Sequence, residues 1–214
     1  MKSFKPITKK ALAVAVVAIV AGIPMLASAE SNFVTGAALL TATARVDVQI
    51  TVPRILFLQV GTGTVGANNT TIDLVTFTPT AAQIAAGTAG IAAATNGILA
   101  AKLIGNGGTI SLTATTAGQL TTGVVGENIS WAQIATSTSL VGFPHPQLVD
   151  GPAAGAASTF GSALAKVTNL SANWTYAFNA PATPPAAGVY GGAGAASPGA
   201  GTRNGRILYT AVMP

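Results

Sequence analysis

The feature that most constrains the fold of this chain is a run, ending at Val52, in which every even position is apolar and every odd position after Leu39 is polar. A period of two puts successive side chains on opposite faces of an extended strand, so the pattern predicts a half-buried β-strand. The run spans fifteen residues, whereas strands usually have about 5 to 6 and seldom exceed about 10. Either the strand bends and changes sheet, or its first half extends beyond its own domain. The apolar positions are Ala38, Leu40, Ala42, Ala44, Val46, Val48, Ile50 and Val52.

Most of the remaining chain consists of short strand-like segments separated by turn residues. The clearest hairpin signal is Gly105 to Gly108, which lies between two strand-like arms, and an alanine-rich stretch after Thr80 predicts one brief helix with Thr80 as its cap. The second arm of the hairpin alternates Ile110, Leu112 and Ala114 against hydroxyl residues. These signals predict an all-β fold, a single immunoglobulin-like antiparallel β-sandwich with at most one or two short helices. An outer-membrane barrel fits less well, because aromatic residues make up only 6% of the chain.

The first residues have the layout of a secretory signal peptide. MKSFKPITKK carries four lysines, an uncharged apolar run follows, and Ala27-Ser28-Ala29 supplies the small residues that signal peptidase accepts. The alternative is a membrane anchor, but the apolar run is shorter than the roughly 20 residues that cross a bilayer. We therefore expect residues 1–29 to be a cleaved leader, with the exported chain beginning at Glu30 and carrying no integral membrane span.

The expected domain organisation follows from this cleavage site and from the alternating run. We interpret residues 30–44 as an N-terminal extension and residues 45–214 as the sandwich domain. Residues 191–204 are rich in glycine, alanine, serine and proline, which predicts a flexible loop inserted before the last strand.

Charge and cysteine content exclude several classes of protein. Without the leader, six basic residues face five acidic ones, for a net charge of +1, so no basic patch argues for nucleic acid or anionic membrane as a partner. Cysteine is absent, so the exported chain has neither disulfides nor thiolate metal ligands. The near absence of charged side chains is typical of a protein whose surface is covered in an assembly.

The residues that carry acid–base or metal chemistry are few and scattered. Asp47 lies on the polar face of the first strand, and Asp150 precedes Gly151 in a turn, where aspartate commonly bonds its own backbone. His145 is the only histidine and lies between two prolines, so we interpret it as a rigid loop residue. It has neither the companions for a metal site nor the partners for a catalytic triad. We predict no enzymatic activity, no cofactor and no metal.

Three aromatic residues leave two interpretations open. Trp131, Trp174 and Tyr176 are suited to stacking on a sugar, as in an exported carbohydrate-binding module. In a strand, however, Trp174, Tyr176 and Phe178 share one face, which is the spacing of the inner face of a sandwich. The spacing favours packing in the core.

The end of the chain resembles that of chaperone–usher type pilin subunits and of spore-coat-U-like secreted proteins. In these families a proline-rich approach and a Gly-x-Tyr motif precede a last alternating strand. Here the approach holds Pro184 and Pro185, the motif is formed by Gly188 and Tyr190, and the strand lies in RILYTAVMP. The residues on one face of that strand are Ile207, Tyr209, Ala211 and Met213.

The resemblance implies a function in assembly. In pilins, the N-terminal extension of one subunit completes the sandwich of its neighbour by adding a strand. Transferred to this chain, the resemblance implies a fimbrial subunit whose partners are copies of itself or related subunits, a periplasmic chaperone and an outer-membrane usher. It also implies a location from the periplasm to the cell surface. The alternative is a self-contained extracellular binding module, for instance for carbohydrate. The expected donor residues are Val34, Leu40, Ala42 and Ala44.

Overall fold

The structure, a computed structural model, describes residues 31–192 and 204–214, and these divide into two units at the junction of Val52 and Pro53. The predicted leader, residues 1–29, lies outside the described residues, as does most of the predicted loop 191–204. The compact second unit begins at Pro53, later than the predicted start at residue 45.

The predicted strand from Ala38 to Val52 is not formed. Residues 31–52 are all exposed and contain no strand. A period of two determines which side chains share a face, but a strand also needs a neighbour for its main-chain hydrogen bonds. No described strand supplies one to this segment.

Strands are the main regular secondary structure of the second unit. Its α-helix, α1, covers Ala81–Ala85, and a 3-10 helix covers Trp131–Gln133. Within the described residues, no helix is both long and apolar enough to cross a membrane. The strands of the described residues are β1 Leu56–Val60, β2 Ile91–Ala92, β3 Ile98–Gly105, β4 Ile110–Thr116, β5 Leu120–Thr121, β6 Asn128–Ile129, β7 Ile134–Thr138, β8 Ser158–Phe160, β9 Thr168–Phe178 and β10 Ile207–Val212.

The strands form antiparallel sheets, which confirms the prediction of an all-β antiparallel sandwich. One sheet has the order β1-β3-β9-β2, with β7 also pairing with β9, and the other has the order β10-β4-β8. A small third sheet pairs β5 with β6. The long strand β9 is the centre of the first sheet, because it bonds β3 and β2 along one edge and β7 along the other.

The predicted hairpin between β3 and β4 is wrong. The two strands flank Gly105 to Gly108 as expected, but β3 pairs with β1 and β9, whereas β4 pairs with β10 and β8. The connection is an arch between the two sheets. Its glycines allow a close approach: a Cβ on Gly107 would lie 2.7 Å from the Arg54 guanidinium and 2.9 Å from Met213. Glycine-rich turn chemistry fits an arch as well as a hairpin, so the sequence did not distinguish them.

The core lies between the inner faces of the two large sheets, as the alternation predicts. On β4 the inner residues Ile110, Leu112 and Ala114 are buried, and on β9 Trp174 and Tyr176 are buried against them in the same cluster. The helix prediction is also confirmed. The Oγ1 of Thr80 accepts from the amide of Gln83, and the Oε1 of Gln83 accepts from the amide of Thr80 at 2.8 Å, which is a capping box.

Candidate functional site

The free edge of β10 is the most distinctive surface of the sandwich. β10 pairs with β4 from Ile207 opposite Thr116 to Val212 opposite Ser111, and no described strand pairs with its other edge. An outer strand leaves a row of main-chain donors and acceptors without a neighbour, which is a template for another strand.

The hydrogen-bond pattern of β4 shows which residues of β10 face that edge. The carbonyl of Ala114 accepts from the amide of Gly155 at 3.2 Å, and Gly155 leads into β8, so the main-chain groups of Ala114 face β8. The direction alternates along a strand, so Thr113 is directed at its opposite residue, Thr210. The amide and carbonyl of Ala211 and of its alternate neighbour Tyr209 therefore point to the free edge.

The side chains of this edge are only partly covered. On neighbouring β4, Leu112 and Ala114 are at most 1% exposed. The row along β10 packs against the same core but stays half-buried. This row is made up of Ile207, Tyr209, Ala211 and Met213. A further strand on β10 would place its alternate side chains beside the row and complete its burial.

Among the other outer strands, β1 is less open. A cavity of about 150 Å³ runs beside it and is lined by all four residues from Phe57 to Val60 and by the loop from Thr62 to Thr71. Consecutive strand residues point to opposite faces, so a cavity lined by all four lies along the edge. Gln59 holds this loop through bonds from Nε2 to the carbonyls of Gly61 at 3.0 Å and Gly63 at 3.2 Å. The loop therefore lies next to the outer edge of β1, whereas no described strand lies next to the outer edge of β10.

The end of β10 is fixed to the start of β1. The Arg54 guanidinium donates to the carbonyl of Pro214, and the amide of Gly107 donates to the Sδ of Met213 at 3.2 Å. These contacts join the chain before β1, the arch and the chain after β10. They keep the terminal strand in register while its outer edge remains free.

A hydrogen-bonded cluster fixes the middle of β10. The Nε2 of His145 lies 2.7 Å from the hydroxyl of Tyr209 and 3.2 Å from that of Tyr176, and the two hydroxyls are 2.9 Å apart. The Nδ1 lies 2.6 Å from the carbonyl of Pro146, which can only accept. The proton of neutral His145 is therefore on Nδ1, and Nε2 accepts from a tyrosine. The cluster joins the β7–β8 connection, β9 and β10.

Aromatic packing encloses the imidazole of His145. Its ring meets those of Trp174, Tyr176 and Tyr209 nearly edge-on, with centroids 4.8, 5.3 and 5.4 Å away. Burial lowers the pKa of His145 to about 4, although the bond to Pro146 opposes the shift. Burial likewise raises the pKa of Tyr176 to about 12 and that of Tyr209 well above its ordinary value, so both hydroxyls stay protonated.

Stability should consequently fall in mild acid. The pKa of His145 is about 4 in the folded chain and 6.5 ordinarily, so between these values the unfolded chain binds a proton that the folded chain does not. The stability that neutral, buried His145 contributes is fully present above the ordinary pKa of 6.5, and it is lost as the pH falls towards 4. We expect the free energy of unfolding to drop by about 3 kcal/mol between about pH 7 and 4 in denaturant titrations.

The matched control for this prediction is His145→Gln, which keeps a donor and an acceptor but does not titrate in this range. The variant should show a flatter pH dependence than the parent chain. The carboxylate of Asp150 does not account for the slope, because hydrogen bonds from Ser130, Trp131 and Gln119 outweigh desolvation and hold its pKa below the ordinary 3.8. Equal slopes in the two chains would contradict the assignment.

The structure brings together only some of the residues singled out in the sequence. Ile207, Tyr209 and Ala211 lie on one face of β10, but Gly188 and Tyr190 lie in an irregular segment outside it. Tyr190 instead donates to the carbonyl of Ala186 at 2.8 Å and packs against a second apolar cluster. The donor candidates are exposed and lie in the first unit; they are Val34, Leu40, Ala42 and Ala44.

The chain on either side of residues 193–203 comes together. A Cβ on Gly205 would lie 2.2 Å from the amide nitrogen of Gly192, and Gly191 has a φ of +66° and bonds its amide to the carbonyl of Thr121. Only glycine fits such an approach, so the sandwich closes across the point where the sequence inserts its glycine-rich stretch.

The aromatic candidates do not form a sugar-binding surface. Trp131 is 4% exposed and Trp174 is fully buried, and Tyr176 is buried beside Trp174. Their polar atoms bond within the fold: the Nε1 of Trp131 donates to Gly118 at 2.6 Å, and the Nε1 of Trp174 donates to Phe143 at 3.1 Å. The interpretation of these residues as core is confirmed, and the exposed tryptophan required by the alternative is absent from both positions.

The candidates for acid–base chemistry remain separate. Asp150 accepts from the amide of Trp131 at 2.7 Å, so it caps the 3-10 helix rather than its own turn, and Asp47 lies in the exposed N-terminal segment. The described residues contain no group of three or more histidine or acidic side chains that could hold a metal. The expectation for His145 missed its two tyrosine partners, because they come from strands distant in sequence and no local motif announces them.

Comparison of the chain with protein-family models, with curated proteins and with solved structures gives no match.

Proposed function

We propose that this chain is a non-enzymatic structural subunit of a bacterial fimbria or of a related extracellular surface assembly, and that it polymerises by strand addition. The observation that carries the proposal is the coexistence of a free strand edge on β10 with an exposed segment of strand-like alternation. Residues 31–52 of one copy would lie along β10 of the next.

The two parts are chemically complementary. At the edge, Tyr209 and Ala211 offer main-chain donors and acceptors above a half-buried apolar row. In the segment, every even position from Ala38 to Val52 is apolar and exposed. Strand addition satisfies the main-chain groups of both and removes both apolar rows from water.

The sparse charge of the chain supports an assembled state. Charged residues make up only 7% of the sequence, while 50% of it is hydrophobic. Few like charges oppose close packing of copies, and an isolated subunit has little protection against association. Export by residues 1–29, a periplasmic chaperone and an outer-membrane usher belong to the same proposal. The chaperone would protect the β10 edge until the next subunit arrives.

Deletion of the N-terminal segment tests the proposal. The chain from Glu30 onward should form polymers in analytical ultracentrifugation and rods in negative-stain electron microscopy. A chain that begins at Pro53 keeps the acceptor edge but has no donor segment, so it should not polymerise. A synthetic peptide of residues 31–52 should bind it and raise its melting temperature.

A peptide with the same composition in scrambled order is the matched control, because it keeps the hydrophobicity and loses the period of two. A chain from Glu30 that is a stable monomer, with a stability unaffected by the deletion, would overturn the proposal. A carbohydrate-binding module has no supporting observation, since both tryptophans are core residues.

A further inference from the structure

We infer that the contact between copies is made by the second half of the N-terminal segment: Val46, Val48, Ile50 and Val52 of a second copy enter the row beside β10, and the first half contributes little. This inference rests on the proposed function and specifies its site. It differs from the expectation drawn from resemblance, which placed the donor residues between Val34 and Ala44.

The first support is the size of the exposed side chains. Val46, Val48, Ile50 and Val52 are 78%, 81%, 81% and 72% exposed. The corresponding positions of the first half include Ala42 and Ala44, each of which offers a single methyl group. Apolar stabilisation scales with the area removed from water, so the second half has much more to gain from insertion.

The second support is backbone preference. All four residues of the second half are β-branched, which favours the extended conformation that strand addition requires. Alanine and glycine predominate between Gly36 and Ala44 and favour it less. The second half therefore loses less conformational freedom when it becomes a strand.

The third support is the match in length and spacing. The acceptor row has four inward positions at intervals of two, from Ile207 to Met213. The donor row has four β-branched positions at the same interval, from Val46 to Val52. Pro53 follows directly and lacks the amide hydrogen that would continue a ladder, so the donor strand ends at Val52.

The opposite face of the segment fits the same orientation. Between the apolar residues lie Asp47, Gln49 and Thr51, which are polar and would face solvent on the outside of the sheet. On the acceptor, the outward residues Leu208, Thr210 and Val212 are exposed. The even positions of the segment thus go inward, and a slip by one residue would bury Asp47.

The occupant is a second copy because the isolated chain leaves this segment exposed from end to end. The side chains of Val46, Val48, Ile50 and Val52 are between 72% and 81% exposed. In an assembly of identical copies, the same row meets the β10 edge of another subunit, which leaves a free donor at one end of the polymer and a free acceptor at the other.

Two matched triple variants test the inference in the chain from Glu30 onward. Val46→Thr/Val48→Thr/Ile50→Thr keeps the β-branching at all three positions and the shape at the two valines, while adding hydroxyl groups to the buried row. Leu40→Thr/Ala42→Thr/Ala44→Thr makes the same number of polar changes in the first half. We expect the first variant to reduce the polymer fraction at least about tenfold in analytical ultracentrifugation, and the second to leave it within about twofold.

The outcomes separate this inference from the proposed function. Loss of polymer in the Leu40 variant alone, or an equal loss in both, would overturn the inference and leave strand addition standing. Polymers that survive deletion of residues 31–52 would overturn the proposed function itself. A concentration-independent monomer that is destabilised by the Val46 variant would mean that the segment folds onto its own chain, and that result also overturns the inference.

Discussion

Replacing Trp174 with alanine is expected to lower the free energy of unfolding by about 4 kcal/mol. The indole is fully buried at the centre of the core, with ring centroids 5.2 Å from Phe143 and 5.5 Å from Tyr209. The change leaves a large cavity and removes one of two donors to the carbonyl of Phe143, the indole N–H at 3.1 Å, while the Thr138 hydroxyl at 2.9 Å remains. Domains are stable by only about 5 to 15 kcal/mol, so much of the margin would be lost. Urea titration followed by far-ultraviolet circular dichroism measures it.

Two control variants separate the causes of this loss. Trp174→Phe keeps an aromatic ring and removes the N–H, so we expect an intermediate loss of about 2 kcal/mol. Val141→Ala changes a side chain that is 92% exposed and should alter the free energy of unfolding by less than about 0.5 kcal/mol. A Trp174→Ala chain as stable as its parent would mean that the indole is a surface group, as the carbohydrate-binding alternative requires.

Local patterns predicted the parts of the fold that depend on one strand at a time. The alternation around Leu112 and the shared face of Trp174 and Tyr176 gave the two inner faces, because side-chain direction in a strand follows from position alone. The cap at Thr80 was equally local, since it needs only the residues of one helical turn.

Features that depend on pairing were not predictable in the same way. The glycines from Gly105 to Gly108 permit either a hairpin or an arch, and the choice is made by β1, β8, β9 and β10, which compete for the edges of β3 and β4. The run ending at Val52 has a clear face but pairs with none of the described strands. The cluster around His145 needs Tyr176 and Tyr209, which meet only when the two sheets pack.

The pairing partners of β10 show how one strand can belong to the fold and still offer the edge that the proposed assembly requires. Its Thr210 is directed at β4 and belongs to the ladder that holds the domain together, whereas Tyr209 and Ala211 present main-chain groups to the free edge. The hydroxyl of Tyr209 bonds His145 at 2.7 Å, so this strand is held from inside as well as from one side. The edge is therefore ordered before a partner arrives, which reduces the entropy lost on association.

Replacing Ala211 with proline should abolish polymerisation and leave the sandwich folded. Proline removes the amide hydrogen that only an added strand would use, and edge positions whose amide faces outward tolerate it. We expect the polymer fraction of the chain from Glu30 onward to fall at least about tenfold. The free energy of unfolding of the chain that begins at Pro53 should change by less than about 1 kcal/mol. Ultracentrifugation and urea titration give the two values.

Thr210→Pro is the matched control, one residue away on the same strand. Its amide is directed at Thr113 of β4, so proline there breaks the ladder inside the domain and should cost about 3 kcal/mol of folding free energy. The two variants should therefore have different effects: Ala211→Pro should reduce association, and Thr210→Pro should reduce the stability of the fold. If the Ala211→Pro chain forms normal polymers, β10 is not the acceptor strand. The edge of β1, next to the loop that Gln59 holds, would then be the surface to test.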